Sequence, residues 1–129
     1  MGAFATSVKN GWLDDVTNST LYLALFVGDP SGAGVEISGG NYARKSVAAT
    51  DWAAAASGTL SNSNAITFTQ ATDVWSASNV TYWALYDAST GGNLKAWDDL
   101  PANQQQPIVS GNTVEFSVGD IVLTISDPS

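Results

Sequence analysis

The sequence predicts an all-β fold, an antiparallel β-sandwich of jelly-roll-like or immunoglobulin-like type with about seven or eight short strands. Apolar or alternating runs of strand length recur along most of the chain, and each is bounded by a turn rich in glycine, asparagine, aspartate or serine. Helical spacing of apolar residues occurs only at the start. The length of 129 residues suits one core. We therefore expect a single domain over residues 1–129, with a short helix over residues 3–15.

The N-terminal helix is predicted from the spacing of its apolar side chains. Phe4, Val8 and Trp12 recur at every fourth residue, with Leu13 beside them, which gives one apolar stripe. Gly11 weakens the helix by about 1 kcal/mol relative to alanine. Such a helix is either a lid on an open end of the sheet or an element that docks onto a partner. Phe4, Val8 and Trp12 are therefore candidate interface residues.

Two strands are predicted to be central in a sheet. Residues 21–27 and 80–86 are apolar on both strand faces, as expected for strands with neighbours on both sides. The other predicted strands alternate or form short apolar runs between turns. They cover residues 42–47, 65–69, 94–97, 107–109, 113–118 and 121–125. The alanine-rich segment 51–56 is compatible with helix, strand or loop.

Paired glycines mark two tight turns. Gly39 and Gly40 precede the strand predicted from Tyr42. Gly91 and Gly92 lie between the strands predicted at 80–86 and 94–97, which we expect to form a hairpin. Glycine tolerates positive φ at no steric cost, so we interpret these four glycines as structural turn residues.

The composition excludes several classes of function. Histidine and cysteine are both absent, which removes the commonest general base, the thiolate nucleophile and cysteine-type zinc sites. Twelve acidic and four basic residues give a net charge of −8, which argues against binding to nucleic acid. The two glutamates, Glu36 and Glu115, are the pair that could serve a glycosidase, but we expect them to be solvated acids. The sequence therefore predicts no enzymatic activity and no cofactor.

Membrane and metal binding are also not expected. No run of about 20 apolar residues is present, and no signal peptide is indicated. The turn aspartates carry oxygen ligands of the kind that calcium prefers, but without the spacing of a calcium loop, so we interpret them as turn-forming residues. They are Asp29, Asp87, Asp98, Asp99 and Asp120.

The five tryptophans are interpreted mainly as core residues. Trp83 lies in a central strand and Trp12 continues the helical stripe, so both are expected in the core. Trp75 and Trp97 border aspartates and are expected to be partly exposed, where they would serve as an interface or a sugar-stacking platform.

Several segments together resemble a known family. They are residues 21–26 (LYLALF), 38–44 (SGGNYAR), 66–68 (ITF), 84–94 (ALYDASTGGNL), 109–116 (VSGNTVEF) and 119–125 (GDIVLTI). The chain resembles small tailed-bacteriophage proteins that are usually labelled tail fibre or minor tail protein. The most specific pieces are SGGNYAR and DASTGGN, which we interpret as structural signatures.

The resemblance implies a non-enzymatic virion component, assembled in the bacterial cytoplasm. We expect it on the tail fibre or tail tip, in several copies, as a homo-oligomer that contacts other virion proteins and, in one alternative, a host receptor. The loops 29–40 and 101–107 would face outward. One alternative is a capsid decoration or head-fibre protein. Another is a lectin-like receptor-binding domain that uses Trp75 or Trp97.

Overall fold

The computed structural model describes residues 3–125, which are mostly β with one α-helix. Within these residues the helix α1 covers Thr6–Thr17 and eleven strands form antiparallel sheets. The strands are β1 Leu21–Val27, β2 Val35–Glu36, β3 Lys45–Val47, β4 Thr59–Ser61, β5 Ile66–Thr67, β6 Ser76–Val80, β7 Tyr82–Tyr86, β8 Leu94–Asp99, β9 Gln106–Ile108, β10 Glu115–Phe116 and β11 Val122–Thr124. Two short 3₁₀ helices cover Ala49–Asp51 and Ala102–Gln104.

The chain divides into two compact units. Of the described residues, the first unit comprises 3–20, 47–66 and 116–125, and the second comprises 21–46 and 67–115. The chain crosses from one unit to the other after residues 20, 46, 66 and 115.

The second unit is built around a sheet in the order β2-β1-β7-β8, with β3 also pairing with β1. The β1–β7 ladder runs from Tyr22 opposite Tyr86 to Phe26 opposite Tyr82. One face of these strands is almost fully buried, because leucine or tryptophan occupies its alternate positions. Those buried residues are Leu21, Leu23, Leu25, Trp83 and Leu85. The predicted β7–β8 hairpin is confirmed, and β6 pairs with β9 in the same unit.

The opposite face of this sheet carries small and aromatic residues. Ala24, Phe26 and Ala84 form a buried cluster, with Tyr82, Tyr86 and Leu94 packed against it. The rings of Phe26 and Tyr86 are stacked, with centroids 6.2 Å apart. Ala24 of β1 and Ala84 of β7 lie opposite each other on the same face as these rings, and both are fully buried.

The first unit places α1 against β4. Leu13 and Thr17 are the buried residues of the helix. Two polar side chains of α1 bind the backbone beside β4, because Asn10 Oδ1 accepts the Gly58 N–H (2.9 Å) and Asp14 Oδ1 accepts the Ala55 N–H (3.0 Å). α1 is therefore held by both apolar and polar contacts on one side.

A buried asparagine joins three segments of the first unit. The Asn62 side chain donates to Ser117 O and Asn64 O, and its Oδ1 accepts the Ile121 N–H at 3.0 Å. Asn62 is 1% exposed, so these bonds satisfy an amide that would otherwise be costly to bury. β4 pairs with β11 next to this site, with Leu60 opposite Leu123.

The element boundaries differ from the sequence predictions in specific places. α1 begins at Thr6 and not at residue 3, because Ala5 has extended backbone angles, and it continues to Thr17, whose hydroxyl donates to Leu13 O. The predicted strand 42–47 is reduced to β3, since the preceding residues form a loop. Segment 51–56 is not a helix: Trp52 is extended and bridges to Asn62.

The predicted number of seven or eight strands is too low for residues 3–125, where the structure has eleven. The strands that were missed are β2, β4 and β6. Each is short or polar and has no apolar pattern of its own. β4 and β6 pair with strands that are distant in sequence, whereas β2 pairs with the preceding strand β1.

Candidate functional site

A buried charged network connects the two motifs that are most specific in the sequence. The Arg44 guanidinium donates to Glu36 through Nε and Nη2, both at 2.9 Å, in a bidentate ion pair. Its Nη1 donates to Ala88 O (2.9 Å) and Gly91 O (2.8 Å). The Arg44 side chain is only 7% exposed. An arginine in SGGNYAR thus holds the backbone of DASTGGN.

Tyr42 completes this network. Its hydroxyl donates to Glu36 Oε2 (2.8 Å) and accepts the Leu25 N–H (3.1 Å), a backbone group of β1. Arg44 Cζ lies 4.0 Å from the ring centroid of Tyr86, which adds a cation–π contact. We call Glu36, Tyr42, Arg44 and the carbonyls of Ala88 and Gly91 the Arg44 network.

The pKa values of Tyr42 and Arg44 are both raised within the Arg44 network. Burial raises the pKa of Tyr42 well above its ordinary value, although the Leu25 N–H opposes this shift. The hydrogen bonds to Glu36 raise the pKa of Arg44. Tyr42 therefore remains a neutral donor and Arg44 a cation at neutral pH.

Asn41 extends the same segment to Trp75. Its Oδ1 accepts the Trp75 Nε1–H (2.9 Å) and the Thr72 N–H (3.0 Å). The Trp75 ring packs edge-on against Tyr42, with centroids 5.3 Å apart, and against Phe68. Trp75 is 3% exposed, so the expectation of partial exposure is wrong. The physical reason is that Asn41, distant in sequence, satisfies the indole N–H inside the core.

The glycines of the two motifs adopt positive φ in tight turns. Gly91 and Gly92 have φ of 61° and 76°, and Gly39 and Gly40 have φ of 126° and 47°. A Cβ on Gly92 would lie 2.5 Å from Asp87 Oδ1, which accepts the Asn93 N–H at 2.7 Å. That backbone hydrogen bond is the main cause of a lowered pKa of Asp87. Glycine is needed for conformation at all four positions, and for space at all but Gly91, where a Cβ would meet nothing within 4 Å.

The two glutamates do not form a catalytic pair in the described structure. Glu36 belongs to the Arg44 network, while Glu115 is exposed and accepts a hydrogen bond from Thr67 Oγ1 at 2.9 Å. Among residues 3–125, no three aspartates or glutamates come together in a group that could hold a metal ion.

An exposed apolar stripe lies on the outer side of α1. Phe4, just before the helix, is 51% exposed, and Val8, Trp12 and Val16 are also exposed. The rings of Phe4 and Trp12 touch edge-on, with centroids 4.6 Å apart. We call these four residues the outer stripe.

The outer stripe corrects the expectation that Trp12 is a core residue. Trp12 is 45% exposed, because Leu13, Thr17 and the polar anchors Asn10 and Asp14 supply the packed side of α1. The apolar spacing at Phe4, Val8 and Trp12 therefore marks the side of the helix that faces away from its own unit.

Trp97 is the exposed tryptophan of the second unit. It lies on β8, the edge strand of the sheet, opposite Ala84, and is 44% exposed. The structure thus brings Phe4, Val8 and Trp12 together on α1, buries Trp75, and leaves Trp97 on a separate element.

A comparison with protein families identifies the chain. Residues 4–124 match the family model described as podophage GP4 fiber I protein gp80. The chain belongs to this family. It is therefore a phage structural protein and a virion component, and it interacts with other virion components. No curated protein matches the sequence at a significant level. In the part of the chain that the structure describes, no helix is long and apolar enough to cross a membrane.

The resemblance inferred from the sequence is confirmed by this match, but sequence reasoning missed how the signature residues work. The Arg44 network was not anticipated, although arginine is rare in this chain, where Arg44 is one of four basic residues. An isolated arginine within a glycine–tyrosine motif was the available signal. The buried role of Asn62 could not be found in the sequence, because Asn62 lies in a run of polar residues that is typical of an ordinary turn.

Proposed function

We propose that this virion component is a non-enzymatic part of the tail fibre or tail tip, present in several copies and attached through the outer stripe. The observation that carries the proposal is the apolar side of a helix whose opposite side is already held by its own unit. Phe4, Val8, Trp12 and Val16 are all apolar and each remains exposed, so a partner that covers them best explains their apolar character.

The spacing of the stripe favours an apolar groove as the partner surface. Its residues are four apart and form one ridge along the helix, and such ridges pack into grooves between side chains of a neighbouring element. Asp15 flanks the ridge near its C-terminal end, and the whole chain has a net charge of −8. We therefore expect a neighbouring virion protein with an apolar groove and a basic rim.

Incorporation into virions tests this proposal. A phage that carries Trp12→Glu should lose the protein from purified particles by about tenfold or more, since a charge at a buried contact costs several kcal/mol. Copies per particle would be measured by mass spectrometry with isotope-labelled peptides. The matched control is Val118→Glu, because Val118 is 63% exposed and lies outside α1. Equal incorporation of both variants would refute attachment through the outer stripe.

The wild-type copy number in the same experiment tests the position in the particle. Tens of copies or fewer agree with the tail, whereas hundreds would identify a capsid decoration protein instead. The lectin-like alternative depends on Trp97 alone, since Trp75 is buried. Unchanged adsorption of a Trp97→Ala phage would eliminate it.

A further inference from the structure

A groove lies beside the Arg44 network in the second unit. It has a volume of about 280 Å³, and the residues that line it include Glu36, Ile37, Arg44, Ser89 and Thr90. This volume is just below the range of about 300–1,000 Å³ that is typical of small-molecule sites, so it suits a ligand of single-ring size. Both signature motifs contribute to its walls, since Arg44 belongs to SGGNYAR and Ser89 to DASTGGN.

The ion pair that lines this groove keeps hydrogen-bonding capacity that the protein does not use. A guanidinium has five N–H donors, and the Arg44 side chain makes four hydrogen bonds, to Glu36 and to the carbonyls of Ala88 and Gly91. The fifth donor, the second N–H of Nη2, has no acceptor among residues 3–125. Glu36 Oε1 accepts one bond, from Arg44 Nη2 at 2.9 Å, although a carboxylate oxygen can accept two. One unused donor and one unused acceptor therefore lie side by side.

Two hydroxyls on the loop that Arg44 holds are also unused. Ser89 and Thr90 are exposed, and neither side chain takes part in a hydrogen bond within the described residues. The bonds from Arg44 Nη1 to Ala88 O and Gly91 O hold the backbone on both sides of these hydroxyls. A loop that is fixed before binding loses less conformational entropy when a ligand binds. The two hydroxyls are therefore presented to the groove by a rigid support.

These groups favour a neutral ligand with several hydroxyls over an ionic one. A hydroxyl both accepts and donates, so two adjacent ring hydroxyls can accept from Arg44 Nη2 and donate to Glu36 Oε1. The charges of Arg44 and Glu36 are already matched in their ion pair, and the net charge of −8 on the whole chain disfavours an anion further. Ile37 and Ala43 add apolar surface to the groove, which suits the C–H groups of a sugar ring.

We propose that this groove binds one neutral pyranose unit of a glycan, held by Arg44, Glu36 and the hydroxyls of Ser89 and Thr90. The inference goes beyond the proposed attachment through the outer stripe, and it does not use Trp97. Sugar binding is measured on the purified chain and attachment on virions, so either result can fail without the other.

Amide chemical shifts in proton–nitrogen correlation spectra of the full chain test the groove directly. The ligands are the methyl glycosides of glucose, galactose and mannose, whose blocked anomeric carbon mimics a sugar within a glycan. We expect saturable shifts of the Ser89, Thr90 and Gly91 amides with one or more of these sugars, with a Kd on the order of 1 mM, since a few hydrogen bonds hold the ring. No shift with any of them at about ten times that concentration, or shifts confined to other parts of the chain, would overturn the proposal.

Removing the loop hydroxyls tests their role without disturbing the Arg44 network. Ser89→Ala combined with Thr90→Ala should weaken sugar binding about tenfold, since each change removes a hydrogen bond to the ligand. The matched control combines Thr72→Ala with Ser78→Ala, because these residues are exposed in the same unit and do not line the groove. If the two double variants bound the sugar equally well, the assignment of the site to this groove would be refuted.

The charge of the ligand provides a second test of the chemistry. The methyl glycoside of the corresponding uronic acid carries a carboxylate on the same ring as the sugar that binds best. It should bind at least about threefold more weakly than that neutral sugar, because Glu36 and the acidic chain repel it. Equal or tighter binding of the uronic acid in the same titration would show an anion site and contradict the proposal. Thermal unfolding followed by circular dichroism would confirm that each variant is folded.

Discussion

The Arg44 network buries a charged side chain, whereas the outer stripe exposes large apolar side chains. Both arrangements are the reverse of what side-chain polarity alone predicts. In the network, a guanidinium side chain is 7% exposed and makes four hydrogen bonds within its unit. In the outer stripe, the large apolar Trp12 is 45% exposed. The difference shows that a side chain is buried where folding supplies its contacts: Arg44 is satisfied by its own chain, whereas we propose that a partner protein covers the outer stripe.

The largest expected effect compares a tryptophan from each region. Trp75→Ala should lower the free energy of unfolding by about 4 kcal/mol, because it leaves a large cavity and removes the donor bound to Asn41. Trp12→Ala should change it by less than about 0.5 kcal/mol, since Trp12 lies on the surface. Urea denaturation of both purified variants would measure this. Similar losses in the two variants would show that the outer stripe also supports the fold.

A charged residue from each region gives the next comparison. Arg44→Met should lower the free energy of unfolding by about 3 kcal/mol, because Glu36 loses its cationic partner and two backbone carbonyls lose their donor. Asp15→Asn should change it by less than about 0.5 kcal/mol, since Asp15 is exposed near the C-terminal end of α1, where an acid is unfavourable. If Arg44→Met left the free energy of unfolding unchanged in the same experiment, the network would not stabilise the protein.

The smallest expected effect compares two glycines. Gly92→Ala should lower the free energy of unfolding by about 2 kcal/mol, because φ is positive and the new Cβ meets Asp87. Gly11→Ala should raise it by up to about 1 kcal/mol, since Gly11 is inside α1 with no atom within 4 Å of the new Cβ. Thermal unfolding would show shifts of opposite sign. A shift in the same direction for both would exclude this explanation of the DASTGGN turn.

Prediction from the sequence succeeded for elements with strong local signals. β1 and the β7–β8 hairpin were anticipated, because apolar residues on both faces and a double-glycine turn identify them without reference to the rest of the chain. β2 and β4 were missed, because strands of two or three residues carry no periodicity and are defined only by the strand with which they pair. The single sandwich domain remains a prediction.

The same distinction applies to the candidate surfaces. The spacing of Phe4, Val8 and Trp12 identified an apolar helical side, but it could not say whether that side faces the core or the solvent. Periodicity reports which side chains share a side of a helix and carries no information on what lies beside it. The position of Asn10 and Asp14, which bind the backbone near β4, decides the orientation of α1.

By itself, the sequence determined the β-rich class, the positions of the glycine turns and the relationship to phage fibre proteins, because these depend on composition and on residues that are adjacent in the chain. Only the tertiary structure decided that Arg44 joins the two signature motifs and that Trp75 is buried while Trp12 is exposed. Those facts depend on groups that are distant in sequence, such as Arg44 with Gly91 and Trp75 with Asn41. The physical reason is that a polar group is buried where folding brings it a partner, and folding alone supplies that partner.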